Sequence, residues 1–323
     1  MILAAGLATR LGELSIRKPK PMLPVCGAPL VRYLVLWLAD QGIREIVVNL
    51  HHLGEQIEAE LGDGSAMNVS IMYSRELEQL LGTGGGIRHA RTLLDDGHGT
   101  PIVVVNGKIL LELDLAQVLD LHQREGFEAT MVLRKDPDAE RWGSFSVDSQ
   151  ARIRSFLGHR ATNPIASDID SLMFTGVHVL SPRFLDRIPA DGPQCIVRTA
   201  YTELFREQGE LGGFVTQRYW WEHSTPPRYL AGVCNVLDGQ VSLPFAPGLR
   251  TGVDPSATVD PSATVVGPVW VGPDVVIGPM ARVGPYVQLG RGVRVEPGRT
   301  LRRSIVWDGM RVERDTDNEI LTG

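Results

Sequence analysis

The run Leu3-Ala-Ala-Gly-Leu-Ala-Thr-Arg-Leu, continued by Lys18-Pro-Lys-Pro-Met-Leu-Pro-Val, contains the side chains of this 323-residue sequence best suited to chemistry. Gly6, the small Ala8 and Thr9 would let backbone N–H groups come close to phosphate oxygens, and Arg10 and Lys20 supply the positive charge that a triphosphate requires. Taken alone, the same residues also read as a strand, a turn and two exposed cations. The generic nucleotide loops do not fit: GxxxxGK[ST] is absent, and Gly82-Thr-Gly-Gly-Gly-Ile87 lacks the last glycine of GxGxxG. His51, His52 and His178 are imaginable metal ligands. Two adjacent histidines at a strand end and one within a strand are more often structural. Trp220 and Trp221 could stack on a base, but beside Tyr219 they read as packing at a domain edge.

The elements that must position these residues follow from hydrophobic patterning. Glu45–Asn49, Val69–Tyr73, Pro101–Asn106 and Ala129–Leu133 are short apolar runs separated by amphipathic segments, the pattern of a parallel sheet with crossover helices. Leu30–Gln41 and His52–Leu61 read as helices stopped by Gly42 and Gly62. Phe145–Val147 and Met173–Leu180 are predicted strands, and Ile196–Gln208 and Pro226–Leu237 predicted helices. The α/β region is thus expected over residues 1–237, followed by a proline- and glycine-containing linker, Asp238–Arg250.

From Val253 an aliphatic residue recurs at every sixth position, through Val259, Val265, Val271, Ile277, Val283, Leu289, Val295 and Leu301. Such a period makes each repeat one short strand plus a turn, with three repeats forming a triangular coil whose inward aliphatics stack on the next. Prolines at 255, 261, 273, 279, 285 and 297 fall at the turns. The pattern resembles the hexapeptide-repeat left-handed β-helix and places that domain at residues 251–323.

The opening segment resembles the signature of the sugar-phosphate nucleotidyltransferases, LxxGxGTRLxPLTxxxPKP. Gly6, Thr9, Arg10, Leu11, Leu14, Pro19, Lys20 and Pro21 match, with Ala8 in place of a glycine and Gly12-Glu13 before Leu14. Asn49-Leu-His-His-Leu is similar to the NVHHL segment of mannose-1-phosphate guanylyltransferase-like members. Leu81-Gly-Thr-Gly-Gly-Gly-Ile is similar to LGTAGGI, Thr175-Gly-Val-His-Val-Leu-Ser-Pro to TGIHVLSP, and Ile196-Val-Arg-Thr-Ala-Tyr to IVRDVY. The resemblance implies a Rossmann-like mixed-sheet α/β nucleotidyltransferase domain. It implies attack by a sugar-1-phosphate oxygen on the α-phosphate of an NTP, GTP or UTP before ATP, with pyrophosphate leaving. It also assigns Arg10 and Lys20 to catalysis, with Lys108 a candidate beside them at a position where the chain departs from the family, Leu3, Ala5, Gly6, Thr9, Gly82, Thr83 and Asn106 to the nucleotide, and Gly143, Thr175 and Gly176 to the sugar. The family's sugar-contacting Glu-Lys pair would fall near Arg154-Ser-Phe-Leu-Gly-His159, where it is absent.

The family holds a divalent cation, Mg²⁺, with one aspartate in a motif like VNGD and another in a motif like WxDxGTPxxYL. Here the first reads Val105-Asn-Gly-Lys108 and the second Trp220-Trp-Glu222-His-Ser-Thr-Pro-Pro-Arg-Tyr-Leu. A protonated lysine cannot ligate Mg²⁺ and repels it, and Glu222 moves its carboxylate by one methylene against an ion that demands near-ideal octahedral geometry. Three readings stand open. Lys108 is itself the cation that meets phosphate; or Glu112 or Asp114 supplies a displaced ligand, which their position at the start of the next helix disfavours; or the chain binds nucleotide or nucleotide-sugar without turnover, as a regulatory or scaffolding paralogue.

Composition bounds the rest. Lysine plus arginine total 32 against 38 aspartate plus glutamate, a net charge of −6, which disfavours nucleic acid or an anionic membrane as the main partner. Cys26, Cys195 and Cys234 form no CxxC pair, so a reducing cytoplasmic location is expected. All eight histidines lie at or before His223, so the β-helix lacks the histidine base of hexapeptide acyltransferases, and it is expected to serve oligomerisation or packing on the α/β domain. A homo-oligomer or a complex with an active paralogue is the expected assembly. The arginines at 282, 291, 294, 299, 302, 303 and 311 read as solvated turns.

Overall fold

The computed structural model describes residues 1–137, 139–161, 169–246 and 248–323; position 247 of the expected linker lies outside the described residues. The chain forms two compact units, one made of Met1–Leu7, Trp37–Gly107 and Glu112–Trp220, the other of Ala8–Leu36, Lys108–Leu111 and Trp221–Gly323.

The first unit is built on a 10-stranded mixed sheet. At its centre the short strand Ile2–Leu3 pairs in parallel with Glu45–Leu50 on one side and Ile102–Asn106 on the other, and Ser70–Arg75 extends the parallel part. Near-continuous aliphatic sequence, as in Ile102-Val-Val-Val, suits strands buried on both faces. Leu3 stands in register with both Asn49 and Asn106, so three strands end abreast where the strand order reverses. Crevices at the carboxyl ends of strands at such a switch point are where open α/β sheets bind ligands.

The long strand Ile169–Leu180 runs antiparallel to Ile102–Asn106 and to Ala129–Lys135, which makes the sheet mixed. A parallel neighbour needs a crossover of a dozen or more residues, whereas Phe145–Val147, Ile153–Phe156 and His159–Arg160 arrive on short antiparallel connections. Two predicted helices differ in extent. The one expected at His52 begins at Gly54, because Leu53 adopts a left-handed φ of 51°. Ile196–Gln208 divides into a π turn, Val197–Tyr201, and an α segment, Thr202–Arg206; Tyr201 is fully buried with its hydroxyl 2.5 Å from His178 Nδ1.

In the second unit the hexapeptide period becomes a left-handed parallel β-helix with three faces. One face stacks Val253, Val271, Leu289, Val306 and Leu321, the next Val259, Ile277, Val295 and Val312, the third Val265, Val283, Leu301 and Thr316. The last coil escapes the six-residue pattern, since spacing shortens after Leu301 and Thr316 takes an inward position. Within the same unit, Gln288 of the β-helix is 1 % exposed; its Oε1 accepts from Cys26 N–H at 2.8 Å and its Nε2 donates to the Pro24 carbonyl at 3.1 Å. The Tyr229 hydroxyl donates to the same carbonyl at 2.6 Å, and Arg250 donates to the Cys26 carbonyl at 2.7 Å and to the Tyr33 hydroxyl. The β-helix therefore holds the base of the lysine-bearing segment.

Two predictions follow from buried polar groups. Gln288→Leu leaves Cys26 N–H without its acceptor and is expected to cost about 1–3 kcal/mol, read as a lower urea midpoint. His178 and His223 are fully buried, and burial pulls both to about 3 from the ordinary 6.5. The unfolded chain therefore takes up protons first as pH falls below 6.5. Stability should drop between about pH 6.5 and 3, by up to about 1.4 kcal/mol per pH unit for each histidine, measured by urea denaturation across that range.

Candidate functional site

In the first unit the end of the opening strand is tied to the glycine-rich turn by two side chains. Asn49 Oδ1 accepts from Ala4 N–H at 2.7 Å, and Asn49 Nδ2 donates to Glu76 Oε1 at 2.7 Å. Glu76 Oε2 in turn accepts from Leu81 N–H at 2.7 Å, the residue that opens Gly82–His89. Glu76 is 3 % exposed, and its polar network was invisible to motif reading because it precedes the glycines in an unremarkable Ser-Arg-Glu-Leu-Glu stretch. Its one sequence signal was a carboxylate just before the glycine-rich turn. His51 Nδ1 lies 2.6 Å from the Glu76 carbonyl oxygen, a structural use of that histidine.

Gly82 has φ +72°, and a Cβ there would lie 2.5 Å from the Gln194 carbonyl oxygen, so neither the conformation nor the space admits a side chain. Thr83 Oγ1 accepts from Ile196 N–H at 3.0 Å, so this hydroxyl holds the backbone of the segment that follows. Asn106 and Gly176, read from separate motifs, are brought together: a Cβ at Gly176, whose φ is +84°, would collide with Asn106 Nδ2. Thr175 is buried, its hydroxyl donating to the Val132 carbonyl at 2.8 Å and its carbonyl accepting the Trp220 indole N–H at 2.8 Å. Trp220 thus fastens the strand that carries Thr175 and Gly176. Gly143 packs instead against Leu157. Leu3, Ala5 and Gly6 line the exit of the central strand, and Gly6 has open space at its α-carbon.

The second unit gathers the charged residues. Ala8 carries a left-handed φ of 59°, so the glycine of the signature answers a backbone requirement, and alanine occupies it at a cost of about 1 kcal/mol. The chain then forms a single turn, Thr9–Leu11, with Leu11 N–H donating to the Ala8 carbonyl at 2.8 Å, which presents Arg10. Lys20 begins a second turn, Lys20–Met22, set by Pro19 and Pro21. Ile109–Leu111 pairs with the strand Trp220–Glu222, and the Lys108 carbonyl accepts from His223 N–H at 3.0 Å.

That pairing brings Lys108 Nζ to 2.5 Å from Glu222 Oε1, with Arg10 Nη2 3.5 Å from the same oxygen. Burial opposes ionisation of Glu222, but the charge and hydrogen bond of Lys108, with Arg10 and Arg228 behind, hold its carboxyl below the ordinary value. Lys20 is pulled down to about 8, first by burial and then by the charges of Lys108 and Arg10, against which Glu222 works. Lys108 and Arg10 thus share one buried carboxylate with Lys20 in electrostatic reach, an arrangement that favours an anion.

The donor set does not fit a divalent cation. Glu222 is committed to two cationic side chains, and among the described residues no group of three or more His, Cys, Asp or Glu side chains is placed to hold a metal. Asp114 is spent capping the helix Leu115–Arg124, its Oδ1 accepting from Ala116 N–H at 3.1 Å, and Glu112 donates its backbone N–H to the Tyr219 carbonyl at 2.8 Å. His223 is buried under the pair with neither ring nitrogen hydrogen-bonded among the described residues. Trp221 donates its indole N–H to the Arg228 carbonyl at 2.7 Å and lies under the Arg228 guanidinium at 4.4 Å.

Glu76→Ala strands the Asn49 amide and Leu81 N–H. It is expected to lower stability by about 1–3 kcal/mol in urea denaturation, whereas Glu76→Gln, which keeps one acceptor, should lose less.

The Nucleotidyl transferase family model matches residues 1–220. The mannose-1-phosphate guanylyltransferase of Mycobacterium tuberculosis is 32 % identical over 97 % of this chain and 80 % of its own length. The N-acetylmuramate alpha-1-phosphate uridylyltransferase of Neisseria meningitidis is 37 % identical over 59 % of this chain and 78 % of its own. Among solved structures, HddC from Yersinia pseudotuberculosis, complexed with GMP-PN, superposes with a TM-score of 0.57 at 25 % identity, over 72 % of this chain and 96 % of that one. Motifs, sheet order and likeness over nearly the whole sequence agree: the chain belongs to the nucleotidyl transferase family.

Proposed function

We propose that this protein is a sugar-1-phosphate nucleotidyltransferase, most like a mannose-1-phosphate guanylyltransferase. A sugar-1-phosphate oxygen bonds to the α-phosphorus of GTP or UTP, the bond from that phosphorus to the β-phosphate oxygen breaks, and pyrophosphate leaves. The carrying observation is the pairing of Arg10 and Lys108 with one buried carboxylate, with Lys20 in electrostatic reach, a cation surplus with the chemistry to accept the charge of a triphosphate. Leu3, Ala5, Gly6, Thr9, Gly82, Thr83 and Asn106 are proposed to contact the nucleotide, and Gly143, Thr175 and Gly176 the sugar. The proposed organisation is a nucleotidyltransferase domain over 1–237, a linker over 238–250 and the β-helix over 251–323, assembling with further copies or with an active paralogue. A cytoplasmic place of action is proposed from three cysteines that form no CxxC pair. No helix among the described residues is long and apolar enough to cross a membrane.

A second reading is favoured by one observation, the occupation of Glu222 by Lys108: the chain binds nucleotide or nucleotide-sugar without turning it over, as a regulatory subunit. Purified protein supplied with GTP or UTP and a panel of sugar-1-phosphates, with and without Mg²⁺, separates the two. Pyrophosphate release, greatest with GTP and mannose-1-phosphate, is the expected result. Nucleotide binding by calorimetry with no release for any sugar would establish the second reading instead.

A further inference from the structure

We propose that Lys108 is a built-in replacement for the divalent cation, so that this chain binds a nucleoside triphosphate without metal and Mg²⁺ does not strengthen that binding. The inference rests on the nucleotidyltransferase reading of the site and deepens it.

The first argument is charge. Exchanging an aspartate for a lysine at one position raises the local charge by about two units, which is the charge a divalent ion would bring. With Arg10, Lys20 and Lys108 positive and Glu222 negative, the cluster retains a surplus of cations from its own side chains. The altered residue therefore removes a metal ligand and supplies the missing charge in the same step.

The second argument is position. The Lys108 main chain is fixed by its carbonyl's bond from His223 N–H at 3.0 Å, next in sequence to Glu222, so ammonium and carboxylate start from neighbouring backbone. The resulting 2.5 Å contact orients a side chain that is 29 % exposed, against 6 % for Glu222. The carboxylate is enclosed while the ammonium still faces solvent with donors to spare, because one Glu222 oxygen cannot satisfy three N–H groups. Arg10, 52 % exposed, is held toward the same oxygen at 3.5 Å. Glu222 acts here as a positioning residue for two phosphate-binding cations.

The third argument is exclusion. Mg²⁺ binds carboxylate oxygen at about 2.0–2.1 Å and requires near-octahedral geometry. Seated on Glu222 Oε1 it would lie within a few ångströms of the Lys108 ammonium, on an oxygen already used by two cations. A metal entering with the nucleotide would meet the same repulsion.

The test is calorimetric titration of the full chain with GTP and with UTP, in EDTA and again in excess Mg²⁺. Binding in EDTA, with a Kd that Mg²⁺ leaves unchanged or raises, is expected. Lys108→Ala should raise the EDTA Kd by roughly tenfold or more, the loss of one charge-assisted contact. Lys108→Asp combined with Glu222→Asp should make binding depend on Mg²⁺. Wild-type binding that Mg²⁺ tightens tenfold or more, or a Lys108→Ala protein that binds as tightly as wild type, overturns the built-in cation and leaves the nucleotidyltransferase reading standing. Absence of binding of either nucleotide by wild type in both buffers overturns both. Circular dichroism confirms folding of the variants, and should they not fold, the wild-type comparison in EDTA and Mg²⁺ decides alone.

Discussion

Glu222 carries a negative charge in a place where burial alone would neutralise it, and it does so because two cations point at one of its oxygens. The converse holds for the cations. Without that carboxylate, Arg10, Lys20 and Lys108 would repel one another, and burial already draws Lys20 down to about 8. The mutual dependence constrains the elements around it. The strand Ile109–Leu111 must pair with Trp220–Glu222 to set Lys108 beside Glu222, and the turns Thr9–Leu11 and Lys20–Met22 must close tightly enough to present their cations. A cluster of this kind lowers its energy further when an anion arrives, which links local stability to ligand binding.

The rigidity that such a cluster needs comes from an unexpected quarter of the second unit. Pro24 and Cys26, just after the lysine-bearing turn, have their backbone groups hydrogen-bonded by Gln288, Tyr229 and Arg250, and Tyr229 also receives the Trp307 indole N–H at 3.2 Å. The β-helix thus serves a nearby loop directly through buried polar side chains. A buried glutamine, here in register between Trp270 and Ile305, is costly unless both ends of its amide are used, and both are.

Much of this was legible in advance. The six-residue period from Val253 to Leu301 permits only one architecture, because inward aliphatics must stack at a fixed interval. The signature loop and the later motifs carried the fold and chemical class of the first unit, and the alterations at 108 and 222 were plain from their motifs. What escaped were groups whose partners lie far along the chain. Glu76 bridges Asn49 to Leu81, and no local pattern distinguishes it from Glu78 two residues later. Ala8 stood out in the sequence only as a small residue in place of a glycine, and only its φ of 59° shows that the position demands a left-handed backbone.

The amino-acid sequence by itself determined which residues are present to do chemistry, the periodicities that make sheet and β-helix, and that a lysine stands at position 108. Only the tertiary structure decided that Lys108 turns to Glu222 rather than to solvent, that Arg10 joins it, and that Gln288 braces the loop between Lys20 and Tyr33. Periodicity and propensity act over neighbouring residues, where sequence distance and spatial distance nearly coincide. Charge pairing and buried hydrogen bonding depend on approach in space, which strand pairing between segments more than a hundred residues apart alone establishes.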